Sequence, residues 1–96
     1  MASFLLTPAA QADLDDIWDY TVERWGVAQA ERYIREIQAT CDALGNGKMV
    51  GRSAEEIRTG YRRYPAGSHV VFSRQVESTI EIVRVLHQNM DFDRRL

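Results

Sequence analysis

Two histidines and a group of arginines are the side chains of this chain best suited to acid–base or phosphate chemistry. A metal-free ribonuclease needs a general base, a general acid and cations beside the phosphate. His69, His87, Arg62 and Arg84 could supply these roles. Neither histidine has the spacing of a metal-ligand motif, and there is no nucleophile elbow. The alternative is structural: the histidines lie at strand ends and the arginines on a solvated strand face.

The segments that carry these side chains read as strands. They are rich in β-branched and aromatic residues and are bounded by turn residues. The predicted strands are Ile57–Tyr64, Ser68–Gln75 and Thr79–His87, with turns at Pro65–Gly67 and Val76–Ser78. An antiparallel meander is the simplest topology for three such strands.

Strict alternation along the last strand predicts how its side chains divide between the two faces of the sheet. Arg84 would share a face with Ile80, Ile82 and Leu86, and His87 would lie on the opposite face. Charged side chains are rarely fully buried, so charge among the apolar residues of a strand indicates that one face of the sheet is accessible. We therefore expect one face to pack on helices and the other to form a groove that is part apolar and part basic.

The N-terminal part predicts a short strand and then a helix. Phe4–Leu6 is the strand, and Thr7 and Pro8 have the residue types of an N-cap and a first helical position. Apolar residues recur at helical spacing within Leu14–Trp25. Gly26 can end this helix in the left-handed conformation.

A second helix is predicted directly after Gly26. Its apolar stripe runs through Val27–Leu44, and Gly45–Gly47 stops it. Two helices joined by one glycine form an antiparallel hairpin, and its apolar face needs a sheet to cover it. The predicted fold class is therefore α+β, with an N-terminal strand and a helical hairpin packed on a small antiparallel sheet.

Length and composition set the broad class. The chain has 96 residues, of which 45% are hydrophobic and 27% charged, as in an ordinary soluble protein. We expect one domain over residues 1–96. The single cysteine, Cys41, cannot form an internal disulfide, and the apolar run near the N-terminus is too short for a signal peptide or a membrane span. These features suggest a cytoplasmic protein, and no motif points to a cofactor or a metal.

The charge of the chain changes sign along its length. Residues 8–45 carry eight acids against three arginines, a net of −5, and residues 46–90 carry seven bases against four acids, a net of +3. Such asymmetry favours a partner that is oriented electrostatically. The net charge of −2 argues against a general polyanion binder.

Seven segments form an ordered series that covers nearly the whole chain. They are Thr7–Ala10, Ala12–Tyr20, Arg24–Gly26, Ala30–Tyr33, Arg58–Arg63, Gly67–Phe72 and Ile82–Gln88. In its residues and their order, this series resembles the ParE toxins of ParD–ParE toxin–antitoxin systems.

The resemblance implies a RelE/ParE-like fold and a stable toxin that a ParD-like antitoxin neutralises. ParE relatives poison DNA gyrase, whereas the RelE branch of the same fold contains ribosome-dependent mRNA nucleases. Those nucleases carry an arginine on the middle strand, where this chain has His69, and Gln88 follows the last strand here. Both departures favour a non-enzymatic gyrase inhibitor, with the RelE-type nuclease as the alternative and an inert or degenerate toxin as a third.

Two sets of site residues follow from this hypothesis. The predicted target-binding residues are basic residues of the C-terminal half, Arg58, Arg62, Arg63, Arg84 and His87. The predicted antitoxin anchors are aromatic residues, Trp18, Tyr20, Tyr33 and Tyr61. We expect an antitoxin helix to lie in a groove beside the helical hairpin, while extended antitoxin chain adds to the edge of the sheet. DNA would be contacted only through the antitoxin or gyrase.

Overall fold

The computed structural model describes residues 4–96, which form two long helices, a five-stranded sheet and a short C-terminal helix. In chain order the elements are β1 (Phe4–Leu6), α1 (Pro8–Trp25), α2 (Val27–Gly45), β2 (Arg52–Ser53), β3 (Tyr61–Ala66), β4 (His69–Val76), β5 (Thr79–His87) and α3 (Phe92–Arg95). The strand order is β1-β5-β4-β3-β2. The predicted α+β class and the meander of β3, β4 and β5 are confirmed.

The hairpin forms as its sequence predicts. The Thr7 hydroxyl accepts a hydrogen bond from the Ala10 N–H at 3.0 Å, so Thr7 is the N-cap and Pro8 takes the first turn. Gly26, at φ 91°, separates α1 from α2. The buried stripes of both helices pack on the sheet, and the Cys41 thiol lies among them, where burial raises its pKa to about 11.

The sheet is mixed, because β1 pairs with β5 in parallel. Phe4 lies opposite Ile80 and Leu6 opposite Ile82. Beyond Leu6, the beginning of α1 continues the pairing along β5: the Thr7 N–H donates to the Ile82 carbonyl at 3.1 Å and the Thr7 hydroxyl to the Val83 carbonyl at 2.7 Å. The edge of β5 is therefore hydrogen-bonded past the end of β1.

The predicted faces of the last strand are wrong for Ile80 and Ile82, because β5 contains a bulge, whereas His87 lies on the face opposite to Arg84 as predicted. Phe72 pairs with Arg84 whereas Ser73 pairs with Ile82, so Val83 is an extra residue and the alternation shifts there. Ile82 and Val85 both pack in the helical core, whereas Leu86 lies in a second cluster. Arg84 therefore shares a face with Leu86 but not with Ile80 or Ile82.

The second face of the sheet is covered in part by the C-terminal segment, residues 92–96. Phe72, Leu86 and Ala54 form its buried centre, and Phe92 and Leu96 from the C-terminal segment pack on them. The rings of Phe72 and Phe92 meet edge to face, with centroids 4.9 Å apart. We call this side, away from the two long helices, the outer face.

The predicted bounds of β3 and β4 are also wrong, and Val76, predicted in the next turn, is the last residue of β4. Residues 57–60 form turns and not the start of a strand, and Pro65 and Ala66 belong to β3, so the turn is at Gly67–Ser68. Among residues 4–96, no helix has both the length and the apolar character needed to cross a membrane.

Candidate functional site

A groove between the helical hairpin and the ends of β4 and β5 contains the residues with the most distinctive chemistry. We call it the hairpin groove. Its volume is about 340 Å³, and its lining combines aromatic, hydroxyl and imidazole side chains. These are Tyr20, Thr21, Trp25, Gln29, Tyr33, Ser68, His69 and His87.

The two histidines meet at the floor of the hairpin groove. His69 and His87 are opposite each other on β4 and β5, and their rings are 5.3 Å apart in an edge-on arrangement. Nδ1 of His87 accepts a hydrogen bond from the Asn89 N–H at 3.1 Å, which places its ring proton on Nε2 in the neutral form. The fold thus joins the two side chains that the sequence offered for acid–base chemistry.

Tyr33 holds His69 from the hairpin side. Its hydroxyl oxygen accepts the Ser68 N–H at 2.9 Å and lies 2.6 Å from Nδ1 of His69. Burial, and after it the charge of His87, lower the pKa of His69 to about 4. His69 is therefore neutral at pH 7, and its Nδ1 is suited to accept a hydrogen bond from the Tyr33 hydroxyl.

Arg84 is fully engaged within the molecule. Its Nε and Nη2 donate to the two carboxylate oxygens of Asp13, both at 2.8 Å, and its Nη1 donates to the Arg95 carbonyl at 2.7 Å. Asp13 also accepts the Val85 N–H at 2.9 Å. The hydrogen bonds to Asp13 raise the pKa of Arg84. This side chain joins α1 to the C-terminal segment, and the Asp13 carboxylate offsets its charge.

The other predicted basic residues lie apart from one another. Arg58 precedes β3 and donates to the carbonyls of Asp93 and Leu96. Arg62 lies on the face of the sheet that packs on the two long helices, and it donates to the Gly51 carbonyl at 2.8 Å. Arg63 lies on the outer face beside Glu56. The predicted target-binding residues therefore do not form one basic groove.

The predicted aromatic anchors also divide. Tyr20 and Tyr33 line the hairpin groove, with Arg24 stacked over the Tyr20 ring at 5.5 Å. Trp18 lines a separate cleft between α1 and α2, and Tyr61 packs on the outer face. The predicted anchors left out Trp25, which is 68% exposed at the end of α1 and lines the hairpin groove. Because Trp25 falls on the predicted apolar stripe of α1, the sequence predicts that it is buried.

The chain belongs to the ParE toxin family. The family model described as "ParE toxin of type II toxin-antitoxin system, parDE" matches residues 4–92, which include every element up to the first residue of α3. This confirms the resemblance that the ordered segments gave, and the fold with its helical hairpin on a mixed sheet is that of a toxin of this class.

Curated relatives agree in length as well as in sequence. The chain is 55% identical over 94 residues to "Toxin ParE1" of Mycobacterium tuberculosis, covering 97% of this chain and 96% of the relative. It is 50% identical over 91 residues to "Toxin ParE1" of Caulobacter vibrioides, covering 95% and 94% of the two chains. Identity to "Toxin ParE" of Escherichia coli is 34%, over all of this chain and 94% of that one.

A solved structure shares the fold. The structure titled "Chromosomal ParDE TA system from P. aeruginosa" superposes with a TM-score of 0.78 at 26% identity, covering 91% of this chain and 96% of the other.

Proposed function

We propose that this toxin acts without catalysis, by binding DNA gyrase, and that a ParD-like antitoxin neutralises it in the cytoplasm. The family and the relatives' names support the toxin role, and the state of the groups suited to catalysis supports the absence of chemistry. His69 is a weak base, because burial lowers its pKa to about 4, and the Tyr33 hydroxyl lies 2.6 Å from its Nδ1. Arg84 donates from three nitrogens to atoms of the molecule itself. The engagement of these two groups is the observation that carries the proposal.

A gyrase assay with the purified toxin tests this function. We expect stoichiometric toxin to inhibit supercoiling and to trap cleaved DNA. The matched control is the toxin preincubated with its co-encoded antitoxin, which should restore supercoiling. Unchanged supercoiling with no trapped cleavage complex would contradict the gyrase proposal.

One observation favours the alternative of a ribosome-dependent nuclease. His87 lines the hairpin groove, and its Nδ1 accepts a backbone N–H, so that its Nε2 carries the proton of the neutral ring. The Nε2–H of such a ring can donate a hydrogen bond to a substrate oxygen in the groove. Translation-linked mRNA cleavage that His87→Ala abolishes would establish the nuclease in place of the gyrase inhibitor.

The hairpin groove is the proposed antitoxin site. Tyr20 and Trp25 are large side chains with 59% and 68% exposure, and Tyr33 lies deeper in the same groove. Aromatic side chains of this kind anchor protein interfaces, and an amphipathic helix is the ligand that fits a part-apolar groove. Trp18 and Tyr61 lie on two other surfaces, so an antitoxin that contacts all four predicted anchors must wrap around the domain.

The edge strand β1 offers a second type of contact for the same antitoxin. It has a neighbour, β5, on one side, and Leu5 within it is 63% exposed. An extended segment of antitoxin can add to such an edge through main-chain hydrogen bonds. Protection of the β1 amides from hydrogen exchange in the complex would support this, and unchanged exchange there would exclude it.

A further inference from the structure

We propose that the outer face carries a binding site for an acidic protein segment, centred on Arg52 and Arg63. The two arginines are opposite each other on β2 and β3. Together with Pro65, Val70, Gln88 and Phe92 they line an open groove of about 210 Å³. We call it the arginine groove. It deepens the proposed function, because we assign the acidic segment to the toxin's protein target.

The pairing of two arginines is the first argument. Like charges directly opposite each other weaken a pair of antiparallel strands. The strand that contains Arg52 has only two residues, and both are exposed. Packing of their side chains therefore stabilises the sheet too little to offset this repulsion. Two guanidinium groups on one face are instead suited to carboxylates, which they bind through paired hydrogen bonds.

Arg52 and Arg63 are also free to bind an incoming carboxylate. Arg63 has one ion pair, with Glu56 at 3.2 Å, and the Glu56 side chain is 59% exposed. An exposed pair of this kind contributes about 0–1 kcal/mol, so an incoming carboxylate can replace it. Within residues 4–96, Arg52 makes no ion pair. By contrast, Arg84 and Arg58 donate to main-chain atoms of the C-terminal segment.

The remaining walls favour a protein over a nucleic acid. Pro65, Val70 and Phe92 are apolar and suit an aliphatic side chain next to the acidic ones. Asp91 and Asp93 flank Phe92 in the chain and repel anions. They disfavour a phosphate backbone, which is charged at every residue, more than carboxylates that alternate with apolar side chains. The ligand that fits both features is a segment in which acidic and aliphatic residues alternate.

This site is distinct from the hairpin groove. The arginine groove is on the outer face of the sheet, and the hairpin groove is on the side of the two long helices. The two therefore make separable predictions. Substitutions at Arg52 and Arg63 should leave antitoxin binding in the hairpin groove unchanged.

Binding to a synthetic peptide tests the inference directly. The probe is an N-acetylated peptide of alternating glutamate and leucine, added to isotope-labelled toxin at low salt and followed by NMR. We expect shifts at the amides of residues 52, 63, 70 and 88, and at least a tenfold loss of affinity in the Arg52→Gln, Arg63→Gln double variant. The control is Arg35→Gln, because Arg35 is a 79% exposed arginine on α2, away from the arginine groove. This variant should bind the peptide with the affinity of the wild type. Equal affinity in the double variant, or tighter binding of a single-stranded oligonucleotide to this face, would overturn the inference.

Thermal stability separates a binding role from a structural one. Because Arg52 and Arg63 repel each other, Arg52→Gln should leave the melting temperature unchanged or raise it. A clear fall in the melting temperature would mean that Arg52 stabilises the sheet, and the inference would then be wrong.

The gyrase assay distinguishes this inference from the proposed function. If the wild type inhibits gyrase and the double variant inhibits it equally, the arginine groove is not the target site, although the function stands. If the wild type does not inhibit gyrase, the function fails, and the peptide experiment alone decides whether the groove binds acidic segments.

Discussion

Asp13 shows how much a single residue can connect in this fold. Its carboxylate accepts two hydrogen bonds from Arg84 and one from the Val85 N–H, and the two side chains are only 11% and 22% exposed. Asp13 lies in the predicted first helix, and nothing in its local sequence indicates Arg84 as a partner. The partner lies 71 residues away, and no spacing rule relates residues so far apart. The ion pair could therefore not be predicted from the sequence.

We expect Asp13→Asn to destabilise the protein by about 1–3 kcal/mol, because it leaves a mostly buried guanidinium with weakened acceptors. Urea denaturation measures this. The control is Glu31→Gln, which removes an exposed pair with a 3.9 Å separation and should change the free energy of unfolding by less than about 0.5 kcal/mol. Equal losses of unfolding free energy in the two variants would show that the Asp13–Arg84 pair stabilises the protein no more than an exposed ion pair does.

His69 should make stability depend on pH. Its pKa is about 4 in the folded protein against 6.5 for an ordinary histidine, so the unfolded chain binds more protons between these values. Stability contributed by the neutral ring is fully present above about pH 6.5 and is lost as pH falls towards 4. NMR titration of the His69 ring gives the folded pKa directly. His69→Gln should flatten the stability curve in this window, and an unchanged curve would contradict the assignment.

At the level of elements, the local signals identified most of the fold. Capping at Thr7, the stripes of α1 and α2 and the positions of β4 and β5 all depend on neighbouring residues, and the sequence predicted them. The bulge at Val83, the two-residue β2 and the short α3 depend on contacts between distant segments. Elements this short form only when tertiary packing holds them, as Phe72 holds Phe92 here.

The β3–β4 turn should tolerate no side chain at Gly67. A Cβ there would lie 2.6 Å from Cε1 of Tyr33, at φ +61°, and would push away the ring that holds Ser68 and His69. Gly60 is the matched control, because it has φ +82° but open space around its Cβ position. Both alanine variants meet about 1–2 kcal/mol of left-handed strain, so Gly67→Ala should be the more destabilising by the clash alone. Equal melting temperatures for the two would contradict this packing argument.

For the whole molecule, the important division is between the two sides of the sheet. One side carries the hairpin groove and the other carries the arginine groove, so a part-basic surface does appear. Of the predicted target-binding residues it contains Arg63. Charge along the sequence indicated that such a surface exists. It could not indicate that Arg58 and Arg84 would donate to the carbonyls of the C-terminal segment, because those contacts arise only when α3 packs on the sheet.

Trp25→Ser should separate binding from folding. Because Trp25 is 68% exposed, its replacement should change the free energy of unfolding by less than about 0.5 kcal/mol. Loss of an aromatic anchor costs an interface about 2 kcal/mol or more, so calorimetry should show at least a tenfold weaker affinity for the antitoxin. Val27→Ser is the control, since Val27 is 53% exposed nearby but does not line the hairpin groove. Normal antitoxin affinity in Trp25→Ser would place the antitoxin elsewhere.

The parallel pairing of β1 with β5 also sets the order in which the molecule can fold. Phe4 pairs with Ile80, and Asp13 binds Arg84. During synthesis neither contact can form until residues 80 and 84 have left the ribosome. Contacts between such distant residues make folding slow. Until then the hairpin has no sheet to cover its apolar stripes, and a nascent chain in that state is prone to aggregation. Both grooves form only once the last strand is in place, which leaves an interval after synthesis begins in which the protein has neither groove.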